Sequence, residues 1–263
     1  MATASTYGDL GVEIGDDFVA TIEIRKPPNN FIDIGIVDGL AAALVDLDAD
    51  DRCRAIVFCA AGKHFCAGGD FSGEAGGGAE PSDAPRRNVY DEADRLFATH
   101  KPIVAAVHGA AIGAGLGLSL VADFRVASPE ARFAANFARL GFHHGFVLSA
   151  TLPRAVGQQK ALELLYTGRR ITGAEAFAIG LADRLAPSGG ARQVAHELAH
   201  EIALSAPLAV QSIRRTMRSG LEEQVRTVIA RERQEQGRLR TTEDWKEGVR
   251  AMAERRLPDF KGR

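Results

Sequence analysis

"HFCAGGDF", residues 64–71, is the stretch on which the reading of this chain turns. Two glycines, an alanine and a cysteine stand together between His64 and Phe71, with one acid, Asp70, among them. They come shortly after "RAIVFCA" (54–60), a strand-like apolar run. Small residues at the exit of a strand mark a place where the backbone must come close to another group. What it comes close to is the functional question.

A second turn of this kind follows another apolar run. "KPIVAAVHG" (101–109) reads as a buried strand entered through Pro102, and "HGAAIGAGLGLSLVAD" (108–123) as a turn opening a helix. Gly109, Gly113, Gly115 and Gly117 precede or enter that helix. The first N–H groups of a helix have no intrahelical partner and lie at the positive end of its dipole. Two such groups aimed at one point make an oxyanion hole. The plainer alternative is that the glycines only allow tight strand–helix packing. The dinucleotide fingerprint is not met, because GxGxxG is reached only by shifting the run and no acid stands where a ribose needs one.

The bulk numbers bound the function classes. A chain of 263 residues suits one large domain or one domain with an appendage. With 46% apolar and 25% charged residues the composition is that of a soluble globular protein. The net charge of −2 argues against nucleic acid held by bulk electrostatics. No apolar run reaches the length of a membrane span, and "MATASTYGDLG" lacks a secretory pattern. Cys53, Cys59 and Cys66 lack metal-ligand partners and read as reduced thiols, so a cytoplasmic location is expected and no metal. Cys66, inside the turn, reads as a small buried filler.

Along the chain, Val12–Ile14 and 18–25 alternate as a hairpin around "GDD". "IGIVDGLAAALVDLDAD" (34–50) has helical spacing, residues 71–85 read as a mobile loop, and 86–99 as a helix. The strand–turn–helix cycle recurs about three times, which predicts an α/β spiral. After about Ala186 the chain turns helical: 192–204, 208–218, 221–238 and 242–256 read as helices. The charged "EEQVRTVIARERQEQGRLR" (222–240) reads as a solvated helix face. The expected division is a spiral core over 1–190 and a helical, oligomerising region over 191–263.

"HFCAGGDF" and "KPIVAAVHGAAIGAGLGLSLVAD" together resemble the two signature regions of the crotonase (enoyl-CoA hydratase/isomerase) superfamily. The likeness extends over "IEIRKPPNNFID" (22–33), "LPRAVGQQKALELLYTGRRITGAEAFAIGLADRL" (152–185) and "DWKEGVRAMAERRLPDF" (244–260). It implies a crotonase-like α/β spiral of ββα turns with a C-terminal helical region, assembled as a trimer or a dimer of trimers. It implies a coenzyme A thioester as substrate, with coenzyme A part of the substrate rather than a separate cofactor. The thioester carbonyl would take backbone N–H bonds from Gly69 and Ala114. The family usually has Gly where Ala114 stands. Ala67 and Asp70 would lie beside the coenzyme in the first turn, Asp70 also reading as a turn and cap residue.

Hydratases of this family carry two glutamates, and this sequence departs from both. One position is Gly117; the other, in "FAANFARLG", is Phe137. Neither can transfer a proton. "LGFHHGF" places His143 and His144 nearby, and His144, read as standing at a helix start that keeps it neutral, is the preferred base. Tyr90, Asp91 and Asp94 are further candidates, since relatives with dehalogenase or decarboxylase chemistry use that helix. His64 and His108 read as structural, and His100 as an exposed helix-end residue. For the coenzyme phosphates the resemblance points to Arg25 or Lys26, and to Phe260 with Lys261; Lys63 is another option. The resulting expectation is isomerase, decarboxylase or hydrolase chemistry through a thioester enolate. The alternatives are a non-catalytic acyl-CoA-binding member and a hydratase with substitute acid–base groups.

Overall fold

The computed structural model describes residues 3–70, 89 and 92–263. The expected loop 71–85, Tyr90 and Asp91 lie outside the described residues. The main sheet has seven strands, β1 (Thr3–Tyr7), β2 (Leu10–Ile14), β3 (Val19–Ile24), β4 (Ala55–Ala60), β5 (Ile103–Val107), β7 (Phe124–Ala127) and β10 (Arg184–Leu185), hydrogen-bonded in that order. β1, β2 and β3 pair antiparallel; from β3 onward every pairing is parallel. A three-stranded sheet joins β6 (Ala110–Ile112), β8 (Arg132–Ala134) and β9 (Ile171–Thr172).

Alternation along the parallel strands sorts side chains to two faces. Ile56 and Phe58 of β4, with Ile103, Ala105 and Val107 of β5, enter the large core that contains α1 (Ile34–Ala49). Ala55, Val57 and Cys59, with Val104 and Ala106, face a second core closed by α6 (Ala191–Ala203) through Ala195, Leu198 and Ala199. All six residues of β4 are buried, as a strand covered on both faces requires. The helix that follows the expected boundary at 190 thus covers the main sheet itself. α1 begins where Asp33 caps it, its carboxylate accepting from the Ile36 N–H at 2.9 Å.

Three expectations need correction. β1 adds a strand ahead of the hairpin. Within 108–123 the turn holds a strand and the helix is shorter than read: β6 precedes a six-residue α2 (Ala114–Ser119). In 86–99 the described helical part is a 3₁₀ turn at Ala93–Phe97. Beyond a second 3₁₀ turn at Asn136–Leu140 come α3 (Leu148–Val156), α4 (Gln158–Thr167) and α5 (Gly173–Ala178). The last three helices, α7 (Pro207–Met217), α8 (Leu221–Leu239) and α9 (Glu243–Glu254), match their sequence signals closely.

Candidate active site

The two glycine turns are fastened to each other by backbone. Cys66 donates its N–H to Ala110 at 2.9 Å and accepts from Ile112 at 3.1 Å, forming a parallel bridge with Ala111. Gly115 stacks so close that a Cβ there would stand 2.1 Å from the Cys66 carbonyl oxygen. Gly68, at φ +96°, turns against the Ile112 carbonyl, where a Cβ would come to 2.8 Å. Glycine is required at both points by contact, and at Gly68 by conformation as well. The Cys66 thiol is fully buried, and burial pushes its pKa up to about 12, so it stays a neutral filler.

Asn30 locks the first turn from the other side. Its amide nitrogen donates to the carbonyls of Ala61 at 2.8 Å and His64 at 2.6 Å, and its Oδ1 accepts from the Lys26 N–H at 3.0 Å. Neighbouring backbone adds Ala67 N–H to Asn29 and Ile32 N–H to Gly68, each at 2.9 Å. Asn30 is wholly buried with φ +49°, a left-handed conformation that asparagine tolerates better than most residues.

The joined turns form one wall of a cavity of about 620 Å³. Ala67, Gly68, Gly69 and Asp70 come from the first turn; Ile112, Gly113 and Ala114 come from the second. Gly113, at φ 56°, sets the direction of the Ala114 N–H at the start of α2. Among the described residues, the N–H groups of Gly69 and Ala114 donate to no backbone carbonyl. The rest of the lining includes Phe31, Phe137, Leu140 and Phe142, with Val249, Met252 and Ala253 of α9. Phe137 meets Phe142 at a tilt with centroids 5.3 Å apart, and Phe142 meets Trp245 of α9 edge-on at 4.5 Å. Asp70, Asn136 and Arg255 are the polar side chains on this largely apolar wall.

The structure brings Gly69, Ala114, Ala67, Asp70 and Phe137 together, and it leaves other candidates elsewhere. Gly117 points away from this wall: a Cβ there would meet the Phe146 carbonyl oxygen at 2.6 Å. His143 and His144 are not on the cavity wall. Their rings stack with centroids 4.1 Å apart, and His144 Nε2 lies 2.8 Å from Ser149 Oγ. His144 is not at the helix start, since α3 begins at Leu148 behind a Val147 cap. Its pKa is lowered to about 4, by burial first and the charge of His143 second, not by a helix dipole.

Lys26 pairs with Asp33, a bond that raises its pKa, and stands 3.7 Å from Asp9. Arg25 pairs with Glu23 at 2.8 Å. Lys261 pairs with Asp259, and Phe260 is exposed; both lie off the cavity wall. Lys63 is exposed beside the first turn. Asp94 is half-buried in its 3₁₀ turn and is not part of the wall. His64 Nδ1 accepts from the Ala110 N–H at 3.1 Å, His108 Nε2 lies 3.0 Å from the Gly62 oxygen, and exposed His100 sits on Asp48 at 3.2 Å.

Three contributions were missed from sequence. Asn30 lay unremarked in a motif, α9 covers the cavity from far along the chain, and Glu232 is buried in a helix read as solvated. The Glu232 carboxylate accepts from the Val147 and Ser149 N–H groups, both at 2.9 Å, and burial raises its pKa. It thereby holds Phe146 and Val147, consecutive residues at φ 58° and 65°, in a conformation that costs about 1–3 kcal/mol per residue. Periodicity alone cannot show that one acid on a charged helix turns inward.

Among the described residues no cluster of three or more His, Cys, Asp or Glu side chains could hold a metal, and no helix is long and apolar enough to cross a membrane. A parallel-rich sheet ending in two zippered turns above an apolar cavity defines a crotonase-type architecture. The family model described as enoyl-CoA hydratase/isomerase matches residues 15–263, and the chain belongs to that family. A Bacillus subtilis (strain 168) protein named as a probable enoyl-CoA hydratase is 33% identical over 254 residues, covering 94% of this chain and 96% of its own. A carnitinyl-CoA dehydratase of Proteus mirabilis (strain HI4320) is 33% identical over 252 residues, covering 93% and 95%. The crystal structure of an enoyl-CoA hydratase/isomerase from Pseudoalteromonas atlantica T6c superposes with a TM-score of 0.85 at 30% identity, covering 96% of this chain and 100% of that one.

Proposed function

We propose that the cavity binds the acyl end of a coenzyme A thioester and that the Gly69 and Ala114 N–H groups polarise its carbonyl. The observation that carries this reading is the pair of N–H groups on one wall of an apolar cavity that, among the described residues, donate to no backbone carbonyl. Charge that develops on the thioester oxygen as an enolate forms is stabilised by donors already in place. Phe137 and Phe142 keep the reacting carbon dry, which strengthens those bonds. With Phe137 on the wall and Gly117 packed on Phe146, the chemistry is not two-glutamate hydration. Isomerisation, decarboxylation or hydrolysis through the enolate fits the site, and decarboxylation asks least of side-chain bases. Asp70 is the carboxylate on the described wall, and Asn136 and Arg255 are the groups able to hold a polar substituent. The chain works as a homo-oligomer: α7 buries none of its residues and exposes Leu208, Ile213 and Met217.

A hydratase with substitute acid–base groups is the second reading, supported by the names of the relatives. Loss of the conjugated enoyl absorbance of crotonyl-CoA decides between them. No hydration, beside turnover of a β,γ-enoyl or malonyl-type thioester, is the expected result. Hydration at a rate near that of an authentic hydratase overturns the reading of Gly117 and Phe137. Tight binding without turnover of any thioester leaves an acyl-CoA-binding protein.

A further inference from the structure

α9 lies backbone to backbone against the segment around the 3₁₀ turn Asn136–Leu140. A Cβ on Gly248 would stand 2.4 Å from the Leu140 carbonyl, and one on Gly141 would stand 2.4 Å from the Asp244 oxygen. The spacing of the two segments is therefore fixed by contact. Both line the main cavity, through Asn136 and Phe137 on one side and Met252 and Arg255 on the other.

Arg255 ends α9 at φ 56° and ψ 38°, the left-handed conformation that helix ends usually give to glycine. A side chain with a Cβ is strained there and stays only where the surroundings impose it. The tail beyond it imposes it. Asp244 accepts from the N–H groups of Lys261 at 2.6 Å and Gly262 at 2.8 Å. Glu247 accepts from the Asp259 N–H at 2.9 Å and from Arg256 Nη2 at 3.0 Å. The Arg256 N–H donates to the Ala251 carbonyl at 3.0 Å. Two carboxylates of α9 thus fasten the chain on the far side of Arg255 and hold it at the cavity.

The neighbouring cations are spent. Arg250 and Arg256 donate to Glu247, and Lys261 pairs with Asp259. Arg255 is not: among the described residues its exposed side chain forms no ion pair and no hydrogen bond. Asp70, the acid on the same wall, is engaged elsewhere. The half-buried amide of Asn136 is likewise without a partner among the described residues, and its Oδ1 would lie 3.4 Å from a Cβ on Gly113, the residue before Ala114. A few convergent polar groups on an apolar wall are what fix the orientation of a ligand.

We propose that Arg255 selects acyl thioesters whose chain ends in a carboxylate, the monothioesters of dicarboxylic acids, with Asn136 as a second donor. This rests on the reading of the cavity as the thioester site. A guanidinium takes a carboxylate in a bidentate fork that an ammonium cannot reproduce. Arg255 shares its cavity with Gly69 and Ala114, and the rest of the lining is mostly apolar, a surface suited to an acyl chain rather than to the coenzyme's phosphates.

Calorimetric titration of the full-length protein tests the assignment. Glutaryl-CoA is compared with pentanoyl-CoA, and adipyl-CoA with hexanoyl-CoA, at constant ionic strength; each pair has one chain length and differs in the terminal carboxylate. In at least one pair the carboxylated thioester should bind about tenfold more tightly, the worth of one charge-assisted contact. Arg255→Gly should abolish that preference by weakening the carboxylated member. Glycine takes φ 56° without strain, so this variant should keep its resistance to urea. Arg255→Lys, which keeps the charge and loses the fork, should retain only part of the preference. Equal affinity within both pairs overturns the proposal and leaves the thioester site standing. A loss in Arg255→Gly shared equally by both members of a pair also overturns it, since Arg255 would then hold the coenzyme. Failure of all four thioesters to bind overturns the thioester site and this inference with it.

Discussion

The glycine turns and the histidine segment 142–149 both pack on α2, and they handle polar groups in opposite ways. Among the described residues, the turns leave the Gly69 and Ala114 N–H groups without a backbone carbonyl partner at a cavity. The histidine segment directs its polar groups inward. His144 lies on Ser149, Val147 and Ser149 donate to Glu232, and the His143 carbonyl accepts from Gln236 at 3.1 Å. A ligand can compete only for groups that the fold has left unspent. On that ground the backbone turns are the stronger candidate site, and the two histidines are the weaker one.

Removing one unspent donor is the most direct way to break this comparison. Ala114 is the first residue of α2, where proline fits because its missing N–H has no helical partner. Ala114→Pro deletes the donor and leaves the cavity wall in place. The expected loss in kcat is about 100- to 1000-fold, as for other oxyanion-hole donors. A loss below about tenfold, with the circular dichroism spectrum unchanged, would show that the thioester oxygen is held elsewhere.

The second way acts on the framework. Asn30→Ala strands the Ala61 and His64 carbonyls and the Lys26 N–H, and it asks alanine to hold φ +49°. Stability should fall by about 3 kcal/mol, given a cost of roughly 1–3 kcal/mol for each buried polar group left unpaired and partial relaxation. Chemical denaturation measures it. Activity should fall with it, since the Gly68 carbonyl is tied to the same loop through Ile32. Asn30→Asp, which keeps the acceptor but not the donors, should recover little of either.

What the sequence made legible follows the same division. Gly69 and Ala114 could be paired from sequence, and they line one cavity, because a glycine turn at a strand end is local geometry, written in adjacent residues. The C-terminal helices were read well because capping and periodicity are local too, with Thr242 accepting from the Trp245 N–H as an example. The histidines were misplaced because their role depends on burial by α8, more than eighty positions away in sequence. The cavity's far wall was invisible for the same reason, since nothing in "GVRAM" states that Val249 and Met252 will face Gly69. Short elements were overextended where glycines permit a strand as readily as a helix, as at β6.

The smallest expected effect sharpens the comparison at the histidines. The pKa of His144 in the folded protein is about 4, below the ordinary 6.5. The unfolded chain therefore binds the proton more readily, and this group makes the protein less stable as pH falls through that window. Replacement by glutamine, which can still reach Ser149 but does not titrate, should remove the penalty. Relative to His144→Gln, the native protein should lose about 1 kcal/mol between pH 8 and about pH 5.5, measured by urea denaturation at each pH. Burial of Glu232 raises its pKa and produces a slope of opposite sign just above pH 4.5, but it is common to both proteins and cancels in the difference. The rate profile gives the complementary reading. A structural His144 leaves kcat without an acid limb near pH 4, its own pKa in the folded protein, and leaves the Gln variant active. A hundredfold loss in kcat for that variant, with its fold intact, would move the chemistry back to the histidine segment.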